Sequence, residues 1–285
     1  MAVPDLAPAD RPQASQVAQT SVLCGNCAVP LTGPFCNQCG QRHRTERLTL
    51  RQLAAELPTR HLNLNAGLLH TFVELWRRPG QVARDYVAGQ RVRYMSPLGY
   101  FLLAATLQLI MLALSSDVLR EMMQGQLAQD PATLETLGQY LGDDPAGVFA
   151  EIYINLIRQA YTYMALLFMC VPYALLMRFF FRGHSPDYNL AETLVFAIYT
   201  VGHIILLFGL VGVITIRIDP MGHSILAVST FLVYGAFAAR GFYGGGIQTA
   251  GLSLLAMFAS YLAFLGAIIA MFVLMFVLHV AGVTA

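Results

Sequence analysis

The chain has 285 residues, a formal net charge of +1, 12% charged and 56% hydrophobic residues, and a mean hydropathy of +0.58. Soluble domains carry about twice that charged fraction, and the apolar stretches after residue 97 are long enough to cross a bilayer. We therefore expect an all-α polytopic membrane protein, and the same composition disfavours disordered, fibrous, disulfide-rich secreted and ordinary cytosolic enzyme classes. All 17 basic residues are Arg, so lysine-dependent Schiff-base and P-loop chemistry is excluded as well.

The first 43 residues divide into a tail and a cysteine motif. Residues 1–21 contain three prolines and few large apolar side chains, which is typical of a disordered tail. Segment 22–43 then holds two CxxC pairs separated by eight residues. Each pair predicts a knuckle that presents two thiolates, and two knuckles complete a tetrahedron around one metal ion. The predicted ligands of this zinc ribbon are Cys24, Cys27, Cys36 and Cys39.

The ribbon motif has four competing interpretations. We expect structural Zn²⁺, because four protein ligands close the coordination sphere. An iron centre is the main metal alternative, since four thiolates suit both ions. A pair of disulfides would need an oxidising compartment. A redox CxxC would need a larger α/β domain than about twenty residues can supply.

Segment 47–95 predicts short amphipathic helices outside the membrane core. Thr49 and Gln52 have the spacing of a capping box, and Pro58 is expected to stop the helix that follows. A second helix is expected to begin at Asn65 and to end at Pro79 and Gly80. Its predicted apolar stripe comprises Leu69, Phe72, Val73 and Trp76.

The same segment is rich in arginine. Helices that combine Trp and Arg can lie in the lipid headgroup region with guanidinium groups on phosphates. A small soluble layer packed on the bundle is an equal alternative, because periodicity does not say what covers an apolar face. No nucleic-acid partner is expected, since no recognition pattern is present. The candidate membrane-surface residues are Arg51, Trp76, Arg77, Arg78, Arg84, Arg91 and Arg93.

Five transmembrane helices are expected within 97–279. They cover approximately 97–115, 160–181, 191–216, 223–239 and 250–279. The fourth is short for a full crossing, and the fifth is long enough to tilt strongly or to break near Gly266. The connection 116–159 is expected to form short helices delimited by Pro131 and Pro145.

Arginine placement predicts the orientation. Residues 1–97 carry eleven Arg and six acidic residues, whereas loop 116–159 carries two Arg and seven acidic residues. By the positive-inside rule the N-terminus is cytoplasmic, loop 116–159 is outside, and five crossings place the C-terminus outside. The four cysteines then lie in a reducing compartment, which agrees with a metal site rather than disulfides.

A polar stripe in the third span is the candidate intramembrane site. Glu192, Tyr199 and His203 are separated by seven and four residues and therefore share a helix face. Ionisable groups inside a membrane often mark ion or proton paths. The alternative is that Glu192 reaches water at the membrane edge and that His203 bonds a neighbouring helix.

From Cys24 to about Phe196 the chain resembles an uncharacterised family of bacterial membrane proteins, known only as a domain of unknown function. The likeness implies an inner-membrane protein with a cytoplasmic metal knuckle and brings no activity. Members of that family often begin the third span with a Glu-His pair, whereas Thr193 follows Glu192 here and Tyr199 replaces a further His. A topological likeness to Yip1-type five-span proteins is weaker. The matched residues are Cys24, Cys27, Cys36, Cys39, Gly40, Gln41, Thr71, Pro79, Gly80, Gly89, Arg91, Arg93, Tyr94, Pro97 and Tyr100.

Three functional hypotheses follow. The first is a non-enzymatic docking, scaffold or regulatory protein, in which the ribbon and the arginine-rich helices bind a cytoplasmic partner above a five-helix anchor. The second is a small transporter or channel that uses the polar stripe. The third, an intramembrane enzyme, lacks a convergent nucleophile and base. Substrate, partner identity and oligomeric state are not predicted.

Overall fold

The computed structural model describes residues 22–43, 46–59, 66–184 and 186–281. The predicted tail 1–21 and the predicted cap Asn65 lie outside these ranges. The described residues are helical apart from the ribbon and the connections, and they contain no strand beyond two isolated β-bridges in the ribbon. The predicted all-α class with an N-terminal four-cysteine cluster is confirmed.

Three short helices follow the ribbon, and they form a layer at the end of the bundle where the ribbon lies, which we call the ribbon end. The predicted capping box is present, because the backbone N–H of Gln52 donates to Thr49 and that of Thr49 donates to Gln52. The first helix ends one residue beyond Pro58. The three helices are α1 (Leu50–Thr59), α2 (Ala66–Arg77) and α3 (Gln81–Ala88).

Five helices are long and apolar enough to cross a membrane, which confirms the predicted number. The second runs without interruption from Pro145 to Phe180, so residues 145–159, which sequence reasoning placed in the outer loop, belong to the spanning helix. The fourth is long enough to cross, and the fifth is continuous through Gly266. They are α4 (Pro97–Leu114), α7 with its π-helical and α8 continuations (Pro145–Phe180), α9 (Leu190–Ile218), α10 (Pro220–Tyr243) and α11 (Ile247–Val280).

The bundle core is the close parallel pair of α4 and α9. Three glycines of α9 allow this approach, since a Cβ on Gly202 would lie 3.3 Å from Phe101 Cα and one on Gly209 would lie 3.1 Å from the Gln108 nitrogen. Small residues let transmembrane backbones pack in this way. In an apolar stretch of 18 residues, 72% of α9 is buried inside the protein, against 6% of α11. α4, α10 and the α8 part of the second span pack directly on α9, whereas α11 packs on α10 and on the second span.

The second span contains one turn of π-helix at residues Ala165–Cys170, between α7 (Pro145–Met164) and α8 (Val171–Phe180). Pro172 explains it. A proline inside a helix lacks an N–H and its ring collides with the carbonyl four residues earlier, which is that of Phe168. The wider turn relieves this collision, and the Val171 N–H bonds instead to the carbonyl of Leu166.

Two amphipathic helices lie at the opposite end of the bundle. They are α5 (Ser116–Ala128) and α6 (Pro131–Leu141), delimited by the predicted prolines. Arg217 at the end of α9 binds this region to the core. Its guanidinium donates to both carboxylate oxygens of Asp117 at 3.0 Å and to the carbonyl of Leu114 at 2.6 Å. The α4 C-terminus therefore has a cationic cap.

Candidate metal centre and its attachment to the bundle

The ribbon consists of two knuckles with the same backbone geometry. In the first, the Ala28 N–H donates to the carbonyl of Cys24 at 2.8 Å, and in the second the Gly40 N–H donates to that of Cys36 at 2.9 Å. Both residues have positive φ, 59° at Ala28 and 71° at Gly40. Ala28 is the only non-glycine residue with positive φ in the described ranges. Each CxxC therefore folds as a tight turn, as the spacing predicts.

The two turns bring the four thiols together. All four sulfurs lie within 4.8 Å of one another, and the cross-knuckle pairs are 3.6 Å apart for Cys24 and Cys39 and 3.5 Å apart for Cys27 and Cys36. Tetrahedral coordination at about 2.3 Å requires sulfur separations of about 3.8 Å. A disulfide requires about 2.05 Å. The donor set therefore fits one tetrahedral metal ion, and the four cysteines are free thiols.

The knuckle backbone already stabilises negative charge on one sulfur. N–H groups of Cys39 and Gln38 point at Cys36 and, against burial, lower the pKa of its thiol to about 6. At Cys27 the balance is reversed. The backbone N–H of Val29 lowers the pKa of this thiol, but burial and hydrogen bonds with the three neighbouring thiols outweigh it and raise that pKa to about 12. Four thiols this close cannot all ionise alone, so a bound cation is what would hold the full set as thiolates.

Gln41 attaches the ribbon to the connector between α3 and α4. Its Nε2 donates to the carbonyl of Gly89. Its Oε1 accepts from the N–H groups of Arg91 at 3.1 Å and Val92 at 3.2 Å. On the other knuckle, Asn26 Oδ1 accepts from the Arg93 N–H at 3.2 Å. Both knuckles therefore bind the five-residue backbone segment 89–93 that leads toward the first span.

A second attachment joins the linker after the ribbon to α9. Arg47 donates through Nε to Glu192 Oε1 at 3.1 Å and through a terminal nitrogen to the other carboxylate oxygen. Asn189, the N-cap of α9, donates to the Leu48 carbonyl at 2.9 Å and accepts from the Glu192 N–H. Glu192 completes the capping box by accepting from the Asn189 N–H. These contacts fix the linker to the first turn of the most buried span.

The predicted polar stripe is buried, and its three members bind different partners. Glu192 has the contacts just described. Tyr199 donates to the carbonyl of Met95, and His203 Nδ1 lies 2.7 Å from the hydroxyl of Tyr100. His203 Nε2 has no hydrogen-bond partner among the described residues. Tyr199 and His203 therefore join α9 to the segment 95–100, and Glu192 joins α9 to the linker after the ribbon.

The candidate surface arginines divide into two groups. Arg78 binds Glu74 at 2.6 Å, Arg84 donates to the Phe242 carbonyl at 2.7 and 3.0 Å, and Arg91 is buried. These three stabilise the protein's own contacts. Arg51, Arg77 and Arg93 are exposed, although Arg93 also donates to His70 at 2.9 Å.

The predicted apolar stripe of α2 is divided: Phe72 is half-buried, packs against the core and contacts the His203 ring, whereas the other three residues face outward. Leu69, Val73 and Trp76 are exposed, Trp76 by 62%. The buried face instead contains Thr71 and Leu75. α2 therefore buries one apolar face in the protein and exposes another apolar face beside Arg77. This arrangement is expected for a helix at a lipid interface.

Three structural residues had only a weak signal in the sequence. Thr71 accepts from the Met95 N–H at 2.9 Å and donates to the Gly67 carbonyl, which fixes α2 to the start of α4. Gly80 has φ of 80° and contacts α10, where a Cβ would lie 1.9 Å from the Ala238 oxygen. Gln41 is the third. All three occur in the quoted family motif, but that motif did not indicate which partners they contact.

A family described as "Protein of unknown function (DUF3667)" matches residues 65–109. This segment covers α2, α3 and most of α4, so it includes the connector that the ribbon binds and the tyrosine that contacts His203. No curated protein and no solved structure matches the chain. The match supports a membrane protein of unknown function and assigns no activity.

Proposed function

We propose that the protein is a non-enzymatic docking or regulatory protein of a bacterial inner membrane. In this proposal the ribbon binds one structural Zn²⁺ and, together with α1–α3, forms a cytoplasmic platform for a protein partner, while five helices anchor it. The observation that carries the proposal is the attachment of the ribbon by Gln41 to the connector 89–92. A ribbon fixed in this way presents its other surfaces in a defined orientation relative to the bundle.

The ribbon exposes three large apolar side chains. Val22, Leu23 and Phe35 are 53%, 55% and 58% exposed. The two isolated β-bridges, Leu23 with Pro30 and Phe35 with Arg42, hold these side chains on the knuckle backbone. Exposed large apolar residues on a rigid element are typical of a protein-binding surface. We take this patch as the docking surface of the proposal.

Charge and chemistry support the orientation and the metal. Eleven of the 17 Arg lie in residues 1–97, which favours a cytoplasmic ribbon end. A reducing compartment keeps four thiols available for metal, and a closed Cys₄ set favours structural zinc over a catalytic ion. The exposed stripe of α2 with Arg77 and Arg51 supports contact of this layer with lipid headgroups.

The experiment is a proximity-crosslinking pull-down from membranes with the Val22→Ser, Leu23→Ser, Phe35→Ser triple variant. All four cysteines remain, so metal content should be unchanged. Leu50→Ser, on an exposed α1 position, is the matched control. We expect the triple variant to lose specific partners that the control retains. An unchanged partner set in a metal-loaded triple variant would contradict docking through the ribbon.

The transport alternative has one observation in its favour, the buried Nε2 of His203 without a described partner. A group of that kind in a span is a candidate for a proton or ion path. Its test is flux in reconstituted vesicles. Glu192→Gln and His203→Ala should each abolish a flux that the wild type shows, and absence of wild-type flux would remove this alternative.

A further inference from the structure

A groove opens on the outer side of the bundle, between α9 and α10 and beside α2. Its volume is about 350 Å³, and Trp76, Val233 and Phe237 in its walls are 62%, 53% and 57% exposed. Small-molecule sites combine mostly apolar and aromatic walls with a few polar groups in this way. We call it the α9–α10 groove, and its walls include Trp76, Leu207, Ser229, Thr230, Tyr234 and Phe237.

His203 lies behind two walls of this groove. Its ring centroid is 5.2 Å from that of Tyr234 and 6.4 Å from that of Trp76, and it precedes the wall residue Leu207 by one turn of α9. His203 is fully buried, and its Nε2 has no hydrogen-bond partner among the described residues. Lipid tails cover apolar walls, but they offer no partner to a ring nitrogen. This nitrogen distinguishes the groove from a face that lipid alone would cover.

The other ring nitrogen determines what Nε2 needs. His203 Nδ1 lies 2.7 Å from the hydroxyl of the buried Tyr100. A buried phenol needs an acceptor for its proton, and a charged imidazole is costly inside a span. The ring is therefore neutral, Nδ1 accepts from Tyr100, and Nε2 carries the proton. Because the two nitrogens lie on different edges of the ring, this N–H points away from α4, to the side that α2 and α10 cover.

Trp76 is the movable part of the wall. Tyr234 is fixed, because its hydroxyl donates to the Leu75 carbonyl at 2.9 Å. Trp76 is 62% exposed, so its indole packs on one side only, and exposed side chains change rotamer on the nanosecond scale or faster. A swing of this ring joins the buried N–H of His203 to the groove.

The depth of His203 indicates the class of ligand. Tyr199 donates to the carbonyl of Met95, two residues before α4 begins, and His203 lies one turn further along α9. The N–H is thus about 6 Å beyond the level at which the first span starts. A molecule that brings an acceptor to this depth must be dissolved in the bilayer. A flat ring with carbonyl oxygens fits best, since it can pack against the rings of Trp76 and Tyr234.

We propose that the α9–α10 groove binds a membrane-dissolved quinone, whose carbonyl oxygen accepts from His203 Nε2 and whose ring packs against Trp76 and Tyr234. Ser229 and Thr230 add two hydroxyls to the walls, which suit the remaining oxygens of the ring. The apolar tail leaves through the open side of the groove into lipid. A bound carbonyl satisfies the His203 N–H without a transport path, and the site does not depend on docking through the ribbon.

Fluorescence of Trp76 tests the site, because Trp76 is the only tryptophan in the chain. The protein in lipid nanodiscs is titrated with a benzoquinone that carries a decyl tail and quenches indole emission. We expect saturable quenching, with affinity about tenfold weaker for His203→Phe, which keeps a ring but loses the N–H. His223→Phe, at the opposite end of the bundle, is the control and should bind like the wild type. Quenching that never saturates, or that His203→Phe leaves unchanged, would overturn the proposal.

A second pair of variants tests the groove without altering His203. Val233→Phe narrows the groove from an exposed wall position, and Ile225→Phe makes the same kind of change at an exposed position of α10 outside the groove. We expect weaker binding for Val233→Phe alone, with the Tm of both variants unchanged. Equal affinities in the two variants would place the quinone elsewhere and would overturn the assignment.

The lipid of the nanodisc distinguishes a quinone from a phospholipid, whose ester groups also carry carbonyl oxygens. The titration is repeated in ester-linked and in ether-linked phospholipid, of which only the first has these carbonyls. We expect the same affinity for the benzoquinone in both. Saturation confined to the ether-linked lipid would mean that phospholipid esters occupy the site, and it would overturn the quinone proposal.

Discussion

Arg47 and Glu192 form a two-point ion pair between the linker after the ribbon and the first turn of α9. The Glu192 side chain is 4% exposed and that of Arg47 is 60% exposed. Only the Glu192 member of the pair is therefore buried. Its carboxylate also accepts from the backbone N–H of Asn189, the N-cap of α9. The contact connects the segment after the four-cysteine ribbon with the most buried span.

Arg47→Ala should lower the free energy of unfolding by about 1–3 kcal/mol. Removing one partner leaves a buried carboxylate without its charge, but the exposure of Arg47 reduces the cost below that of a fully buried pair. Thermal unfolding in detergent measures the change. Arg120→Ala is the control, since Arg120 and Glu151 are both more than 40% exposed, and it should cost less than about 1 kcal/mol. Equal losses would contradict the structural role given to Arg47.

Gly80→Ala should destabilise the protein by roughly 3 kcal/mol or more. Its φ of 80° costs an L-residue about 1–2 kcal/mol, and the new Cβ would lie 1.9 Å from the Ala238 oxygen, which requires a backbone shift. Gly89 is also left-handed, with φ of 118° and ψ of −1°, and a Cβ there would come no closer than 3.9 Å to another residue, so Gly89→Ala isolates the conformational cost. A Tm loss for Gly80→Ala no greater than that for Gly89→Ala would show that the corner before α3 does not pack on α10.

Ala28→Gly should strengthen metal retention about fivefold. Alanine at φ 59° is strained by about 1 kcal/mol, and in a metal-coupled fold relief of strain adds to binding free energy. Gly40→Ala, at φ 71° in the equivalent position of the other knuckle, should weaken retention by a similar factor. Competition with a chromogenic chelator measures both. Effects of the same sign in the two variants would contradict the equivalence of the knuckles.

Gln41→Ala should release the connector without removing the metal ligands. The amide hydrogens of Arg91 and Val92 donate to the Gln41 side chain, so we expect their exchange to accelerate on the order of tenfold, the effect of losing about 1.4 kcal/mol of protection. Hydrogen exchange in lipid nanodiscs measures this. Thr32→Ala, on the exposed loop between the knuckles, should leave the exchange rates of these two amides unchanged. Unaltered exchange in Gln41→Ala with intact metal content would contradict ribbon attachment.

Sequence reasoning predicted the features that depend on local pattern. Two CxxC turns, a Thr-x-x-Gln capping box and five apolar segments each follow from spacing within a few residues, and the structure confirms them. Helix ends were less predictable. Sequence reasoning began the second span only at residue 160 and assigned the helix expected after Pro145 to the outer loop, but α7 is continuous from Pro145 and packs along α11.

Long-range contacts could not be predicted in this way. Gln41 looked like one more polar residue after a CxxC, and its partners lie about fifty residues later. The α2 stripe has the correct helical period, but period alone does not say which apolar face is inward. Thr71 at the buried face decides it, through a bond to a residue 24 positions away.

Membrane topology tests the central claim, that the ribbon end faces the cytoplasm and the α5–α6 end faces outside. Thr136→Cys on α6 and Leu50→Cys on α1 introduce exposed thiols at the two ends. We predict that a membrane-impermeant maleimide labels Thr136→Cys in intact cells and labels Leu50→Cys only after permeabilisation. Labelling of Leu50→Cys in intact cells, with Thr136→Cys protected, would contradict the orientation and the cytoplasmic docking platform that depends on it.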